Sequence, residues 1–241
     1  MARRRFFVDR IQDNRASLTG DDARHLTRVL RAEPGQRYEI SDNERAYLAE
    51  IADITSHHVT FTILEPLPVA PPQPEIALYA ALIKFDRFEW LIEKATELGV
   101  SRLIPVNAER TEKGLATAAA KRIDRWRKVA RESSQQSRRL RLPEISPVQP
   151  FATAIADASR LRFFLDEEPG APLLLQAAPP DRAEKPAAIL TGPEGGWTGR
   201  ERAAAVNAGW KPVSLGQNIL RAETAAIAAL AVLSLACHIP S

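Results

Sequence analysis

Two glycine-rich turns near the C-terminus set the narrowest limits on how this 241-residue chain can fold. The first, Thr191-Gly-Pro-Glu-Gly-Gly-Trp-Thr198, follows the apolar run that starts at Ala187; the second begins at Leu215 and runs Gly-Gln-Asn-Ile-Leu-Arg-Ala-Glu-Thr to Ala225, after Pro212-Val-Ser. Each reads as strand, turn, helix. Gly192, Gly195 and Gly196 admit positive φ and let a ligand approach the backbone, and Thr198 with Glu201 three residues on has the spacing of a capping box. Turns of this kind place main-chain amides at neighbouring strand ends, where open α/β sheets hold small ligands, so one compact pocket is expected. From Ala222 to Cys237 the chain is rich in Ala and Leu and apolar on nearly every face, which predicts a helix buried all round and covered in part by a second subunit. Arg221, Glu223 and Thr224 stand beside this dry region. Burial of charge is costly without a partner, so they are functional candidates.

The chain divides at Pro66-Leu-Pro-Val-Ala-Pro-Pro-Gln-Pro74, where five prolines in nine residues exclude a helix interior or a central strand. Three parts are expected: a domain over 1–68, a stiff linker over 69–74 and a second domain over 75–241. Before the linker, Phe6–Val8, Arg37–Ile40, Tyr47–Ile51 and Val59–Ile63 read as strands with a hairpin turn near Asp42 and Asn43, and only Asp21–Arg31 reads as helix. That pattern predicts a small β-barrel. After it, strand and helix alternate: Ile76–Ile83, Asp86–Leu98, Arg102–Val106, a long helix over Leu115–Arg139, strands near Leu161–Leu165 and Ala187–Leu190, the helix after Thr198, a strand near Val213 and the terminal helix. The alternation implies a parallel sheet covered on both faces, an α/β fold.

Composition narrows the function classes. The formal net charge is +3 and the pI about 9.2, compatible with a polyanionic partner where the basic residues cluster. They do so at Arg3, Arg4, Arg5, Arg10, Arg24, Arg28 and Arg31, and again at Arg122, Arg125, Arg127, Lys128, Arg131, Arg138, Arg139 and Arg141. Such runs attract phosphates irrespective of base sequence, or form a solvated helix face. A single cysteine, Cys237, excludes an intrachain disulfide and a Cys-rich metal site, and His57, His58 and His238 have no ligand spacing, so no metal is expected. No signal-peptide or membrane-spanning pattern is evident, which predicts a cytoplasmic protein with no membrane partner. The glycine spacing of a nicotinamide-cofactor turn is missing after the first strand of the second domain.

The ordered set Gly192-Pro-Glu-Gly-Gly196 and Leu215-Gly-Gln-Asn-Ile-Leu-Arg-Ala-Glu-Thr224 resembles the C-terminal signature of SPOUT-class methyltransferases, the RsmE family in particular. Further matches are His25-Leu-Thr-Arg-Val-Leu-Arg31, Lys84, Glu93-Lys-Ala-Thr-Glu-Leu-Gly-Val100, Glu109-Arg110, Arg125-Trp126, Gln136-Ser137 and Arg139. The resemblance spans about residue 3 to residue 238. It implies an N-terminal PUA-like β-barrel, a SPOUT-type parallel sheet with a C-terminal trefoil knot, a homodimer, and transfer of a methyl group from S-adenosyl-L-methionine to N3 of a uridine in 16S ribosomal RNA of the small subunit. Another SPOUT methyltransferase, acting on a transfer-RNA base or ribose, and a non-catalytic RNA-binding protein are the alternatives.

By this resemblance, Leu165, Leu190, Thr191, Gly192, Gly195, Gly196, Leu215, Gly216, Ile219 and Leu220 hold the cofactor. Arg24, His25, Arg28, Arg31, Arg138 and Arg139 face RNA, and Arg221 and Glu223 are catalytic. Uracil N3 carries a proton and is a poor nucleophile until it leaves, so the enzyme must favour the uracil anion. Arg221 is suited to charge developing on a carbonyl oxygen, because guanidinium stays protonated and donates in a fixed fork. Glu223 accepts the N3 proton, directly or through water, or else orients Arg221 while solvent takes the proton. Trp197 either caps the pocket or staples the turn to the core. In one place the pattern is departed from: Gln135-Gln-Ser-Arg-Arg139 stands where the family often has Glu first and Gly fourth.

Overall fold

The computed structural model describes residues 4–8, 10–68, 75–157, 161–178 and 186–236. The expected linker at 69–74 lies outside the described residues, as do Arg3, Cys237 and His238. The chain separates into two compact units, Met1–Pro71 with Ser134–Leu142, and Pro72–Ser133 with Pro143–Ser241.

The first unit carries β1 (Arg5–Phe7), β2 (Ile11–Gln12), β3 (Arg15–Thr19), α1 (Gly20–Arg24), β4 (Arg37–Ser41), β5 (Ala46–Ile54) and β6 (His58–Pro66). They pair in the order β1-β4-β5-β6-β3-β2, with β1 parallel to β4 and the other pairs antiparallel. Among the described residues this path is a curled half-barrel, in keeping with the small β-barrel expected from the sequence. Two register shifts, at Leu48/Ala49 and Ile51/Asp53, interrupt the long β5–β6 pair, and bulges of this kind bend the strand that carries them. Phe6, Leu18, Ile40, Ile51, Val59 and Phe61 form its core. The strands at 11–12 and 15–19 escape the sequence pattern because Asp13 and Asn14, both at positive φ, turn the chain between runs of only two and five residues.

The helix expected at Asp21–Arg31 is α1 followed by a π-helical turn, His25–Val29, in which the Leu30 amide donates to the His25 carbonyl at 3.0 Å, five residues back. It stops where Arg31 takes a φ of 49°. The segment 134–142 belongs to this unit through side-chain bonds. Gln135 Nε2 donates to Asp22 Oδ1 at 2.9 Å, Arg5 donates to the Arg138 carbonyl at 2.8 Å, and the fully buried Ser41 hydroxyl donates to the Leu140 carbonyl at 2.6 Å.

The second unit carries β7 (Ile76–Ala81), α2 (Phe85–Glu97), β8 (Arg102–Asn107), α3 (Leu115–Ala119), α4 (Ile123–Gln136, whose last residues cross to the first unit), β9 (Glu144–Ile145), β10 (Gln149–Pro150), α5 (Phe151–Ala154), β11 (Leu161–Leu165), α6 (Leu174–Ala177), β12 (Ala187–Thr191), α7 (Gly199–Asn207), β13 (Lys211–Val213) and α8 (Ala222–Ala236). The long helix expected over Leu115–Arg139 is thus two helices joined by a 3-10 turn at Ala120–Arg122, and it ends at Gln136. The sheet runs β10-β8-β7-β12-β11-β13, with β9 also on β8, and every pair is parallel.

All residues of β7 and β12 are buried, as the unbroken apolar runs of a sheet covered on both faces require. Alternation along these strands separates two cores. Ile76, Leu78, Ala187 and Ile189 pack with Leu91, Trp126, Ala226, Leu230 and Leu233 from α2, α4 and α8. Ala77, Tyr79, Ala188 and Leu190 pack with Phe164, Trp197, Ala205 and Trp210. The terminal helix is not buried all round within this chain, since Leu235 is exposed and Ile227, Ala228, Ala231 and Val232 are only half-buried. Among the described residues no helix is long and apolar enough to cross a membrane.

The Ser41 hydroxyl, which also accepts the Asn43 amide at 3.1 Å, generates a test. Ser41→Ala leaves the half-buried Leu140 carbonyl and Asn43 amide without this partner, and should cost about 1–3 kcal/mol in global stability. Hydrogen exchange should accelerate at Asn43 and in the 138–142 segment. Unaltered protection there would show that this hydroxyl does not hold the segment.

Candidate functional site

A cavity of about 580 Å³ opens at the C-terminal ends of β11, β12 and β13, within the usual range of roughly 300–1,000 Å³ for small-molecule sites. Its walls are Leu165–Glu167, Thr191–Trp197 and Val213–Ala222, with Arg87 and Ala225. Most of this wall is loop backbone. The sequence places the two turns at neighbouring strand ends; in the structure β11 lies between β12 and β13. That correction brings Asp166 and Glu167 into the wall, two residues the sequence reading passes over. Their only sequence signal is an acidic run, Asp166-Glu167-Glu168, directly after an apolar strand.

The turn after β12 is held from several sides. Trp197 is 1% exposed, and its indole Nε1 donates to the Leu165 carbonyl at 3.0 Å, so it staples this turn to the end of β11. A Cβ at Gly192 would stand 3.1 Å from the indole ring, so a side chain there would press the ring back by a few tenths of an ångström. Arg110 donates to the Gly195 carbonyl at 2.8 Å, and Arg202 to the Trp197 carbonyl at 3.0 Å. The capping box is present: the Glu201 amide donates to Thr198 Oγ1 at 3.2 Å, and the Thr198 amide to Glu201 Oε2 at 3.0 Å. Glu201 Oε1 also accepts the Glu109 amide at 2.8 Å. The Thr198 hydroxyl first, and then the Arg200 guanidinium, hold the Glu109 carboxyl below the usual carboxylate range. In the second turn Gly216 takes a φ of 123°, and the Ser214 hydroxyl bonds its amide and its carbonyl.

Of the residues expected at the pocket, Leu165, Thr191, Gly192, Gly195, Gly196, Leu215, Gly216, Ile219 and Leu220 line it, and so does Arg221. Ile219 is 87% exposed. Leu190 does not line it. Alternation along β12 points its side chain into the core formed with Phe164, Trp197 and Trp210, so the wall begins one residue later, at Thr191. Glu223 is absent from the wall as well; it lies in the first turn of α8, 6% exposed, with Oε2 lacking a hydrogen-bond partner. The Arg221 carbonyl accepts the Ala225 amide at 2.8 Å, but its guanidinium makes no hydrogen bond or ion pair among the described residues, and no bond joins it to Glu223. The other guanidinium on the wall, Arg87, is paired with Glu194. Among the described residues no group of three or more His, Cys, Asp or Glu side chains could hold a metal ion.

The six basic candidates all belong to the first unit. Arg24 donates to His57 Nδ1 at 3.3 Å, and His25 Nε2 lies 3.0 Å from an Arg4 nitrogen. Arg28 and Arg31 are exposed. Arg138 takes a φ of 56° and lies 3.7 Å from Glu39, and burial pulls the Arg139 guanidinium down to about 10, which leaves it charged at neutral pH. Gln135 donates an amide hydrogen to Asp22, which a carboxylate at that position could not do. In the second unit much of the basic run at the 3-10 turn and on α4 is paired: Arg122 and Arg125 with Glu89, and Arg127 with Asp124.

Residues 71–234 match the family model described as an RNA methyltransferase domain, and residues 18–64 match an RNA methyltransferase PUA domain. The chain is 33% identical over 230 residues to the ribosomal RNA small subunit methyltransferase E of Synechocystis sp., covering 92% of this chain and 74% of that protein. The protein of the same name from Mycobacterium bovis is 32% identical over 242 residues, covering 93% of this chain and 88% of its own. Among solved structures, the ribosomal RNA small subunit methyltransferase E of Neisseria gonorrhoeae bound to S-adenosyl methionine superposes with a TM-score of 0.87 at 27% identity, over 97% of this chain and 98% of that one. A methyltransferase of Legionella pneumophila in complex with the same cofactor gives 0.88 at 26% identity, over 98% of each chain.

Gly196 supplies a test of the wall. Its φ is 68°, and a Cβ there would stand 2.8 Å from Glu167 Oε1. Gly196→Ala should cost about 1–2 kcal/mol from the left-handed backbone alone, read as a lower thermal midpoint, whereas Gly199→Ala, in open space within α7, should not. Equal midpoints for the two variants would show that Gly196 is not constrained in this way.

Proposed function

This chain belongs to the RNA methyltransferase family, and from that membership we propose that it methylates N3 of a uridine in 16S ribosomal RNA of the small subunit, using S-adenosyl-L-methionine. The observation that carries the reading is the cavity walled by the backbone of both glycine-rich turns, with an unpaired guanidinium, Arg221, on its wall. Three glycines in the first turn and one in the second keep the backbone accessible, and nine of the ten residues expected to hold the cofactor line this one space. The residues present fit a nucleoside-sized group.

When bound there, S-adenosylmethionine supplies a methyl group on a cationic sulfur, chemistry that needs no metal. The chain's own task is to make uracil N3 a nucleophile. Arg221 sits where a guanidinium can pair with charge on a uracil carbonyl oxygen as the N3 proton leaves, an interaction stronger in the transition state than before it. Glu223 has a buried carboxylate oxygen without a partner, and we assign it proton acceptance through one intervening water, since it does not reach the wall. The orienting role for Glu223 draws no support from the geometry, which has no Arg221–Glu223 bond.

The same reading assigns residues 1–68 to RNA binding, with Arg24, His25, Arg28 and Arg31 as phosphate contacts together with Arg138 and Arg139 of the 134–142 segment that belongs to that unit, and residues 75–241 to methyl transfer. It includes a homodimer that covers the half-exposed face of α8, a knotted threading of the C-terminal segment, and action in the cytoplasm on RNA of the small subunit.

Arg221→Ala should lower single-turnover methylation at saturating RNA and cofactor by about a hundredfold or more, as deletion of one oxyanion donor does, with calorimetric affinity for S-adenosylmethionine little changed. An unchanged rate would remove Arg221 from the chemistry. Arg28→Ala should act in the opposite way, weakening RNA binding and reducing its salt dependence by about one counterion while leaving the saturated rate intact. Mapping N3-methyluridine in ribosomal RNA from cells lacking the protein tests the whole reading; an unaltered 16S pattern would leave a different RNA as substrate or a binding role alone.

A further inference from the structure

One carboxylate on the cavity wall has no part in the chemistry above. Asp166 follows β11 directly, and its side chain is only 8% exposed. Its Oδ1 accepts Arg202 Nε at 2.9 Å and the Glu168 amide at 3.4 Å. Its Oδ2 has no hydrogen-bond partner among the described residues, although Asp166 lines the cavity. It is not one of the fully buried atoms that lack a partner, so it keeps access to solvent, and an accessible acceptor on a residue of the cavity wall is available to a donor on a ligand.

The other wall carboxylates are differently placed. Glu194 is paired with Arg87, and Glu167 Oε1 is bonded to Arg202 at 2.7 Å; their side chains are 41% and 43% exposed. Asp166 is thus the buried one, and it is fixed from outside the cavity. Arg202, on α7, spreads its fork over Asp166 through Nε, over Glu167 through one terminal nitrogen, and over the Trp197 carbonyl at 3.0 Å through the other, with Glu168 at 3.4 Å. A single guanidinium therefore locks Asp166 to both the end of β11 and the turn after β12.

We propose that Asp166 Oδ2 accepts hydrogen bonds from the vicinal hydroxyls of the cofactor's ribose, and that Arg202 is the positioning residue that aims it. A carboxylate pinned through one oxygen and already facing a guanidinium retains acceptor capacity with no donor of its own, which suits neutral hydroxyl donors. An acidic side chain near the C-terminal end of a parallel strand is how open α/β sheets recognise a ribose diol. This rests on reading the cavity as an S-adenosylmethionine site.

The test is competition by adenosine and by 2′,3′-dideoxyadenosine against S-adenosylmethionine, measured by calorimetry on the full chain. Wild type should prefer adenosine by about tenfold, the worth of a charge-assisted hydrogen bond. In Asp166→Ala the preference should fall to about twofold or less, and in Arg202→Lys, which keeps the charge but loses the fork, it should fall partway. A wild type that binds S-adenosylmethionine without distinguishing the two nucleosides overturns the proposal whatever the variants do. So does an Asp166→Ala variant that keeps the preference, or one that loses S-adenosylmethionine affinity while adenosine is unaffected, which would place the amino-acid ammonium at this carboxylate. A wild type that binds no S-adenosylmethionine overturns the reading of the cavity itself, and the proposal with it.

Discussion

The site depends on one buried hydrogen bond, from the Trp197 indole to the Leu165 carbonyl. The indole lies against Phe151 and Phe164, with ring centroids 5.4 Å away in each case, so the bond is made in a dry core, where replacing it would strand a polar group. It joins the turn after β12 to the strand that separates β12 from β13. Without it the two glycine-rich turns would be independent loops on opposite sides of β11. With it, the first turn, the end of β11 and the loop leading to α8 wall one cavity. Gly192 lies close against the same indole, 3.1 Å from where a Cβ would stand, and also lines the cavity.

Around this bond the polar groups divide into those used in building the wall and those left over. Arg110, Arg202, Thr198 and Glu201 all bond to backbone of the turn, and Glu109 and Glu167 are tied to them through Thr198 and Arg202. Their charges are used structurally, and a reader of the sequence who counted them as catalytic would be misled. Glu223 Oε2 is buried without a partner, and the Arg221 guanidinium and Asp166 Oδ2 are accessible groups near the turns that no described side chain or backbone group pairs with. A folded protein keeps such groups at a cost, and functional sites are where that cost is commonly met by a ligand.

Much of the site was legible because it is local. The capping box is a three-residue spacing, the glycines announce a backbone close to something, and the apolar runs of β7 and β12 declare a doubly covered sheet. What was illegible is non-local. Nothing in Ala187–Leu190 says that β11 pairs on one side of β12 and β7 on the other, and that choice decides that Asp166 and Glu167 join the wall. Leu190 packs in the core and the cavity wall begins at Thr191, a difference of one residue of strand alternation that the sequence does not resolve. The long helix misread as running to Arg139 ends at Gln136 because residues 134–142 satisfy their polar groups on Asp22, Ser41 and Asn43, a hundred residues upstream, a pairing that no helical periodicity encodes.

The same segment accounts for the departure from the family pattern at Gln135 and Arg138. A glutamate at 135 would set its carboxylate against Asp22, whereas the glutamine amide donates to it, so the residue that departs from the pattern is matched to its neighbour. Arg138 stands at a left-handed φ where glycine would carry no strain, and its carbonyl and guanidinium are both engaged, by Arg5 and by Glu39. Local strain of about 1 kcal/mol is tolerated where the surroundings hold the residue in place, and here they do so from β1 and β4. Engagement with Glu39 and Arg5 leaves Arg138 less free to meet phosphate than Arg28 and Arg31, which are exposed beside the π-helical turn with no ion pair among the described residues. The basic groups of the first unit are therefore graded: two exposed guanidinium groups at the turn with no ion pair among the described residues, and at the segment one that already faces Glu39 at 3.7 Å.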